Sequence, residues 1–210
     1  MTTDAGAAPS SFTGTGSVAR AAQSVRRVAV ALLSVRPDLP ELGDIAATIH
    51  GLADDLGTRA CPVDERVHGM STTERIVPYS PVVGTANAVA PPLLLRPAAA
   101  TGDGPDLEGT VTFSPAYQAT PGTVHDGAAA MVLDVALADA NVRAGVPGMT
   151  VELVLRFHRP LPVDRELTVR AWHDSVDGRK ARSHGEIRWG PHLCVSARGL
   201  FVVARGAAAP

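Results

Sequence analysis

The chain has 210 residues, 45% apolar but only 4% aromatic, and 19 Lys and Arg stand against 21 Asp and Glu for a net charge of −2. That length suits one large domain or a smaller domain with an extension, and the near-neutral balance gives no reason to expect nucleic acid as a partner. The two cysteines, Cys61 and Cys194, form neither a disulfide framework nor the paired spacing of a zinc site, so the expected compartment is a reducing cytoplasm and no metal is expected.

Residues 1–16 are rich in Ala, Gly, Ser and Thr and read as disordered. Gly14-Thr-Gly16 imitates a dinucleotide fingerprint, but no apolar strand precedes it as a phosphate-cradling turn requires. From Ser17 to about Arg36 the positions Val18, Ala21, Val25, Val28, Leu32 and Val35 follow helical spacing. Within this stretch Arg26-Arg27 and the apolar residues after it are closed by Arg36 and lack a cleavage site, so they are not read as a targeting signal. No apolar stretch approaches the roughly 20 residues that span a bilayer, and no membrane is expected. A second helix is marked by a capping-box pattern at Asp38 and Glu41, a stripe at Leu42, Ile45, Ile49, Leu52 and Leu56, and a stop at Gly57. The pair reads as a cover for a sheet in preference to a DNA-binding pair or a dimerisation arm, since its exposed faces mix Arg with Asp and Glu. Scattered Pro and Gly make residues 58–91 a linker or loop. Strands are expected at 92–97 and 107–114.

The run from Pro121 to Asp139 is the centre of the chain. From Ala128 to Ala138 every residue is apolar except Asp134, with no Gly or Pro, which predicts a helix buried on all sides. Pro121, Gly122 and a cap at Asp126 would open it. A carboxylate in such a helix is either paired or at work, because burial without a partner is costly and raises its pKa.

Four period-two segments follow. Met149, Val151, Leu153, Leu155 and Phe157 form the apolar side of the first, and Leu167, Val169 and Ala171 that of the second. Ala181, Ser183, Gly185, Ile187 and Trp189 line the third, and Leu193, Val195, Ala197 and Phe201 the fourth. Asp177-Gly178 signals a hairpin between the second and third. The shape is α+β: an antiparallel sheet with one apolar face, and one helix to occupy it.

Two segments, P-G-T-V-H-D-G from Pro121 to Gly127 with Asp134 nine positions after His125, and M-T-V-E-L-V-L-R-F-H-R-P from Met149 to Pro160, resemble the PaaI-like and THEM4-like acyl-CoA thioesterases of the hot-dog fold. In that family a His-Gly-Gly opens the central helix; here Asp126 replaces the first Gly. The resemblance covers about residues 85–204. It implies a hot-dog fold, a curled antiparallel sheet around a long central helix, after a helical N-terminal extension. The expected divisions are an extension at 1–84, a thioesterase domain at 85–206 and a disordered tail at 207–210.

The implied activity is hydrolysis of an acyl thioester, of coenzyme A or an acyl carrier protein, with no cofactor beyond the coenzyme A of the substrate. Asp134 would be general base or nucleophile. The His125-Asp126-Gly127 turn would offer backbone N–H groups to the oxyanion, because the first N–H groups of a helix lack intrahelical partners. Asp126 would cap the helix and point away from the site. His125 is read as tying down its loop rather than as a base. The resemblance gives Thr150 the task of helping the carboxylate position water, where residue pattern alone reads an ordinary strand threonine. Arg159, Arg179 and Lys180 are candidates for the coenzyme A phosphates, with solvated loop charge as the alternative, and Tyr117 for the acyl pocket. Nine residues at about 1.5 Å and 100° each put Asp134 roughly 13 Å from His125 on the opposite side of the helix. If both act on one carbonyl they come from two chains, so the active unit is at least a homodimer. The alternative function is a non-catalytic acyl-CoA sensor.

Overall fold

The structure, a computed structural model, describes residues 15–61, 79–91, 93–99 and 104–204. Expectations for the opening residues, much of the linker and the tail lie outside these. Helices α1 (Thr15–Ser34) and α2 (Leu42–Thr58) come first. Strands β1 (Leu94–Pro97) and β2 (Leu107–Thr112) follow, then a two-strand ribbon of β3 (Gln118–Thr120) and β4 (Thr123–Val124), and the central helix α3 (Asp126–Arg143). The chain closes with β5 (Met149–Phe157), β6 (Glu166–Asp177), β7 (Lys180–Trp189) and β8 (His192–Val202). No helix among the described residues is long and apolar enough to cross a membrane.

One six-stranded sheet in the order β1-β2-β6-β7-β8-β5 is antiparallel throughout. The predicted hairpin joins β6 to β7, with Gly178 at φ 57° supplying the left-handed turn that a side chain would strain. The sheet holds α3 against its apolar face. On the helix Ala128, Ala129, Val132, Leu133, Ala136, Leu137 and Ala140 are buried, a stripe at four-residue spacing, and opposite them lie Leu167, Val169, Ala171, Ala181, Ile187, Val195 and Phe201. Leu137 is seated over two glycines of neighbouring strands. A Cβ on Gly185 would lie 2.7 Å from one methyl of Leu137, and a Cβ on Gly199 would lie 2.9 Å from the other. Near the end of the helix the buried Asn141 side chain bridges Ser183 at 3.3 Å and His173 at 2.8 Å, satisfying its polar atoms and tying the helix to β6 and β7.

Several expectations are corrected. The central helix is not buried all round: Met131 is 40% exposed, and Asp134, Val135 and Ala138 are half-buried on a second stripe that the sheet covers only in part. The helix is apolar on two faces, and one chain fully covers one of them. In β5 a bulge between Thr150 and Glu152 shifts the register. Thr150 therefore opposes the core residue Phe201, while Met149 opposes Val202 on the outer face, reversing the regular alternation read for this end of the strand. A similar shift after Ile187 leaves Trp189 exposed. The N-terminal helices do not cover the sheet. Helix α1 packs against the 3-10 turn Pro115–Tyr117, and α2 buries no residue. The capping box at Asp38 and Glu41 does not form: Glu41 makes no side-chain cap, and Asp38 lies 3.6 Å from Arg36 on the surface.

Two predictions test this packing. At Gly109, where β1 crosses β2, a Cβ would overlap the Leu94 carbonyl. Gly109→Val should displace β1 and cost roughly 1–3 kcal/mol in urea denaturation. On α3, burial pushes the Asp139 carboxyl above its ordinary 3.8, against the opposing pull of Arg143. Between 3.8 and the raised value the folded chain therefore holds more proton than the unfolded one, and this residue's contribution to stability falls as pH rises through that window. Asp139→Asn should raise the melting temperature at neutral pH, and the gain should vanish below pH 3.8.

Candidate active site

The start of α3 is held by three backbone links and one side chain. The β3–β4 ribbon turns at Gly122, φ 80°, and delivers Val124, whose N–H donates to the Leu161 carbonyl at 2.9 Å. The His125 N–H donates to the Tyr117 carbonyl at 2.7 Å, and the His125 carbonyl accepts from Ala128 N–H at 2.9 Å. With extended φ and ψ of −65° and 134°, His125 is the N-cap, and its Nδ1 accepts the Gly127 N–H at 2.9 Å. The imidazole closes over Gly127 so tightly that a Cβ there would lie 3.1 Å from Nδ1. The cap expected of Asp126 thus belongs to His125, and the Gly127 N–H expected to be open to a ligand is already engaged. Asp126, the first helical residue, has no preceding turn to supply an acceptor for its own N–H. Its carboxylate makes no hydrogen bond or ion pair within the described residues, and the residue borders a cleft rather than standing clear of it.

That cleft has a volume of about 520 Å³. Thr120, Thr123, His125 and Asp126 bound one side, and Phe157, His158, Arg159 and Leu161 the other. A guanidinium thus shares the cleft with a helix N-terminus, and both favour an anionic group.

Asp134 lies two and a half turns further along and does not line this cleft. It is half-buried on the partly covered stripe, where the Thr150 hydroxyl donates to Oδ1 at 2.8 Å. The bulge makes this bond, since a regular strand would point Thr150 to the outer face. One carboxylate oxygen is thus held by a hydroxyl, which limits rotation of the carboxylate.

The remaining candidates are distributed between two ends. Arg159 lies on the cleft. Arg179 and Lys180 sit at the β6–β7 hairpin, where Lys180 pairs with Val202 and Val202 with Met149, so they mark the Thr150 end of the sheet. Tyr117 is not on the cleft: its hydroxyl donates to the Val89 carbonyl at 2.7 Å and its ring stands edge-on to Phe113 at 5.7 Å. It lines a different cleft, together with Arg26, Thr112 and Asp164. Sequence reasoning missed His158, a cleft residue whose Nε2 lies 2.9 Å from Ser196 Oγ, and the threonine pair Thr120 and Thr123, whose hydroxyls bond to each other. The adjacency of His158 to Arg159 and the placement of the threonines around Pro121-Gly122 were the available signals.

Residues 121–195 match the family model described as the thioesterase superfamily, and residues 10–65 match one described as "Hypothetical protein RHA1_ro05818, N-terminal helical domain". The chain is 40% identical to the solved structure of protein RHA08564, a thioesterase superfamily protein, covering 88% of this chain and 90% of that one with a TM-score of 0.79. It is 35% identical over 90 residues to the acyl-coenzyme A thioesterase THEM4 of Bos taurus, a match spanning 42% of this chain and 37% of that curated relative. Zebra fish thioesterase superfamily member 2 shares the fold at 16% identity, with a TM-score of 0.51 over 62% of this chain and 92% of that one. With a helical extension leading into an antiparallel sheet around one central helix, and with protein RHA08564 aligned at 40% identity across nearly its whole length, the chain is a hot-dog-fold member of the thioesterase superfamily.

Proposed function

We propose that the protein hydrolyses an acyl thioester of coenzyme A or of an acyl carrier protein, with Asp134 as the reactive carboxylate. The observation that carries this reading is the Thr150–Asp134 bond, which a local departure from regular strand geometry creates on a helix face that its own chain leaves partly open. As general base, Asp134 takes a proton from water, the hydroxide attacks the thioester carbon, and the tetrahedral oxyanion collapses to expel the thiolate, which recovers the proton. As nucleophile, the carboxylate forms an anhydride with loss of thiolate, and water then hydrolyses it. In either route the oxyanion is received by the Asp126 N–H, backed by the positive end of the helix dipole. Arg159, with His158 beside it, faces the phosphates of the carrier.

The two halves lie apart in one chain, so the complete site takes the helix start from one copy and Asp134 with Thr150 from another. The surface fits that assembly. Strand β5 is a sheet edge of nine residues, and exposed Met131 on α3 and Val151 on β5 stand beside Asp134 and Thr150 in the chain. An unpaired edge with apolar neighbours is a natural seam for a two-fold contact. A second reading, an acyl-CoA binder without turnover, is favoured by the Asp126 carboxylate on the cleft, where negative charge opposes a developing oxyanion.

A thiol-release assay across a panel of acyl-CoA esters separates these readings. Turnover that Asp134→Asn abolishes, and that Thr150→Val lowers on the order of tenfold or more, supports hydrolysis; tight binding without turnover supports the sensor. Undiminished turnover in Asp134→Asn removes the carboxylate from the mechanism.

The divided site is tested by mixing chains. Proline is tolerated at the first helical position, so Asp126→Pro deletes the N–H while keeping the helix. Asp126→Pro and Asp134→Ala homo-oligomers should each be inactive, and their mixture should recover activity after subunit exchange. Demonstrated exchange without recovery, or full activity in a monomer, rejects a shared site.

A further inference from the structure

We propose that Tyr117 and Arg26 are positioning residues through which helix α1 sets the turn at the start of α3, an inference that rests on the assignment of that turn to the oxyanion. Helix α1 docks by a narrow contact. Ala22, 6% exposed, belongs to the helix that packs on the 3-10 turn ending in Tyr117, and one turn later Arg26 reaches the loop of residues 79–91. Its guanidinium donates to the Asn87 carbonyl at 2.6 Å and to the Thr85 carbonyl at 3.4 Å. That loop is internally braced: Asn87 Nδ2–H donates to the Tyr79 carbonyl at 3.0 Å, its Oδ1 accepts the Val89 N–H at 3.0 Å, and Ser80 Oγ accepts the Val82 N–H at 3.2 Å. Tyr117 grips the same loop from the domain side through its hydroxyl on the Val89 carbonyl, 2.7 Å.

The other end of Tyr117 meets the site. Its carbonyl accepts the His125 N–H at 2.7 Å, and His125 in turn caps Gly127. Only one residue, Tyr117, separates the loop clamped by α1 from the residue that sets the first turn of the helix. Burial raises the Tyr117 hydroxyl above its usual range, against the opposing effect of Arg26, so it remains a hydrogen-bond donor at neutral pH. Displacing α1 frees the loop, the loop frees the ring, and the carbonyl that orients His125 loses its reference. Misplacing a catalytic donor by a fraction of an ångström is a rate effect more than a binding effect.

The full chain is tested as Tyr117→Phe, which deletes only the hydroxyl, and as Arg26→Gln, a half-buried residue at the rim of the fold whose loss leaves the core intact. Each should lower kcat on the order of tenfold with KM changed less than about twofold, and amide hydrogen exchange across residues 121–129 should accelerate. Arg26→Lys, which keeps one donor for the Asn87 carbonyl, should recover part of the rate. The double variant should be no worse than the more damaged single one, because both act along one route. Unchanged kcat and exchange in folded variants overturn the proposal, as does a loss of rate that merely tracks the folded fraction. If the wild type turns over no ester in the panel, the hydrolytic reading fails by itself. Exchange then decides the positioning role, faster exchange retaining it and unchanged exchange rejecting it.

Discussion

Leu137 resting on Gly185 and Gly199 fixes the height and rotation of the central helix, and the geometry of the site depends on it. A side chain at either glycine would lift the helix or drive Leu137 from its seat, and a leucine buried in this manner contributes roughly 1.5–3 kcal/mol by burial alone. The alanines on the same stripe allow the close approach. Asn141, bonded to Ser183 and near His173, adds a polar latch near the other end, so rotation about the helix axis carries the penalty of an unsatisfied buried amide. With rotation set, Asp134 falls beside β5 and nowhere else.

A helix with two apolar faces in a domain with one sheet leaves a surplus. The partly covered stripe carries the only acidic residue between Ala128 and Ala138, and the strand beside it carries the hydroxyl that orients that residue. On the proposed reading the surplus and the chemistry share one surface. Association and reactivity are, on that same reading, facets of the same packing problem, because whatever covers the stripe also removes water from around the carboxylate and strengthens its interactions.

Much of this was written locally in the chain. The two-residue spacing of Leu167, Val169 and Ala171, the Asp177-Gly178 turn and the unbroken apolar run of the helix each follow from short-range rules, and they yielded the sheet, the hairpin and the helix. What was not legible depends on relations across the chain. A bulge appears only when two strands are aligned, so residue alternation placed Thr150 on the outer face and left its role to family resemblance. The cap went to His125 because the imidazole can fold back over a glycine, a contact that cap preferences for Asp do not anticipate. The hydroxyl partner of Tyr117 lies 28 positions earlier, in a stretch whose Pro and Gly announce an irregular path but not which carbonyl it presents. The apolar run could not tell a helix enclosed by its own chain from one with a face left partly exposed.

The extra residue in β5 also governs which changes of length the chain tolerates. The segment from Ala144 to Gly148 is a connection between helix and strand, and an added residue there is absorbed as slack. Removing Val151 does something different. It would close the bulge, restore strict alternation and bring either the hydroxyl or the rest of the strand onto the wrong side. The sixteen-residue interval between carboxylate and hydroxyl is therefore elastic in its first part and rigid in its last. In divergent copies of this chain, insertions should accumulate before Met149 and be purged after it, so that the constraint imposed by the bulge is recorded in gaps rather than in residue identities.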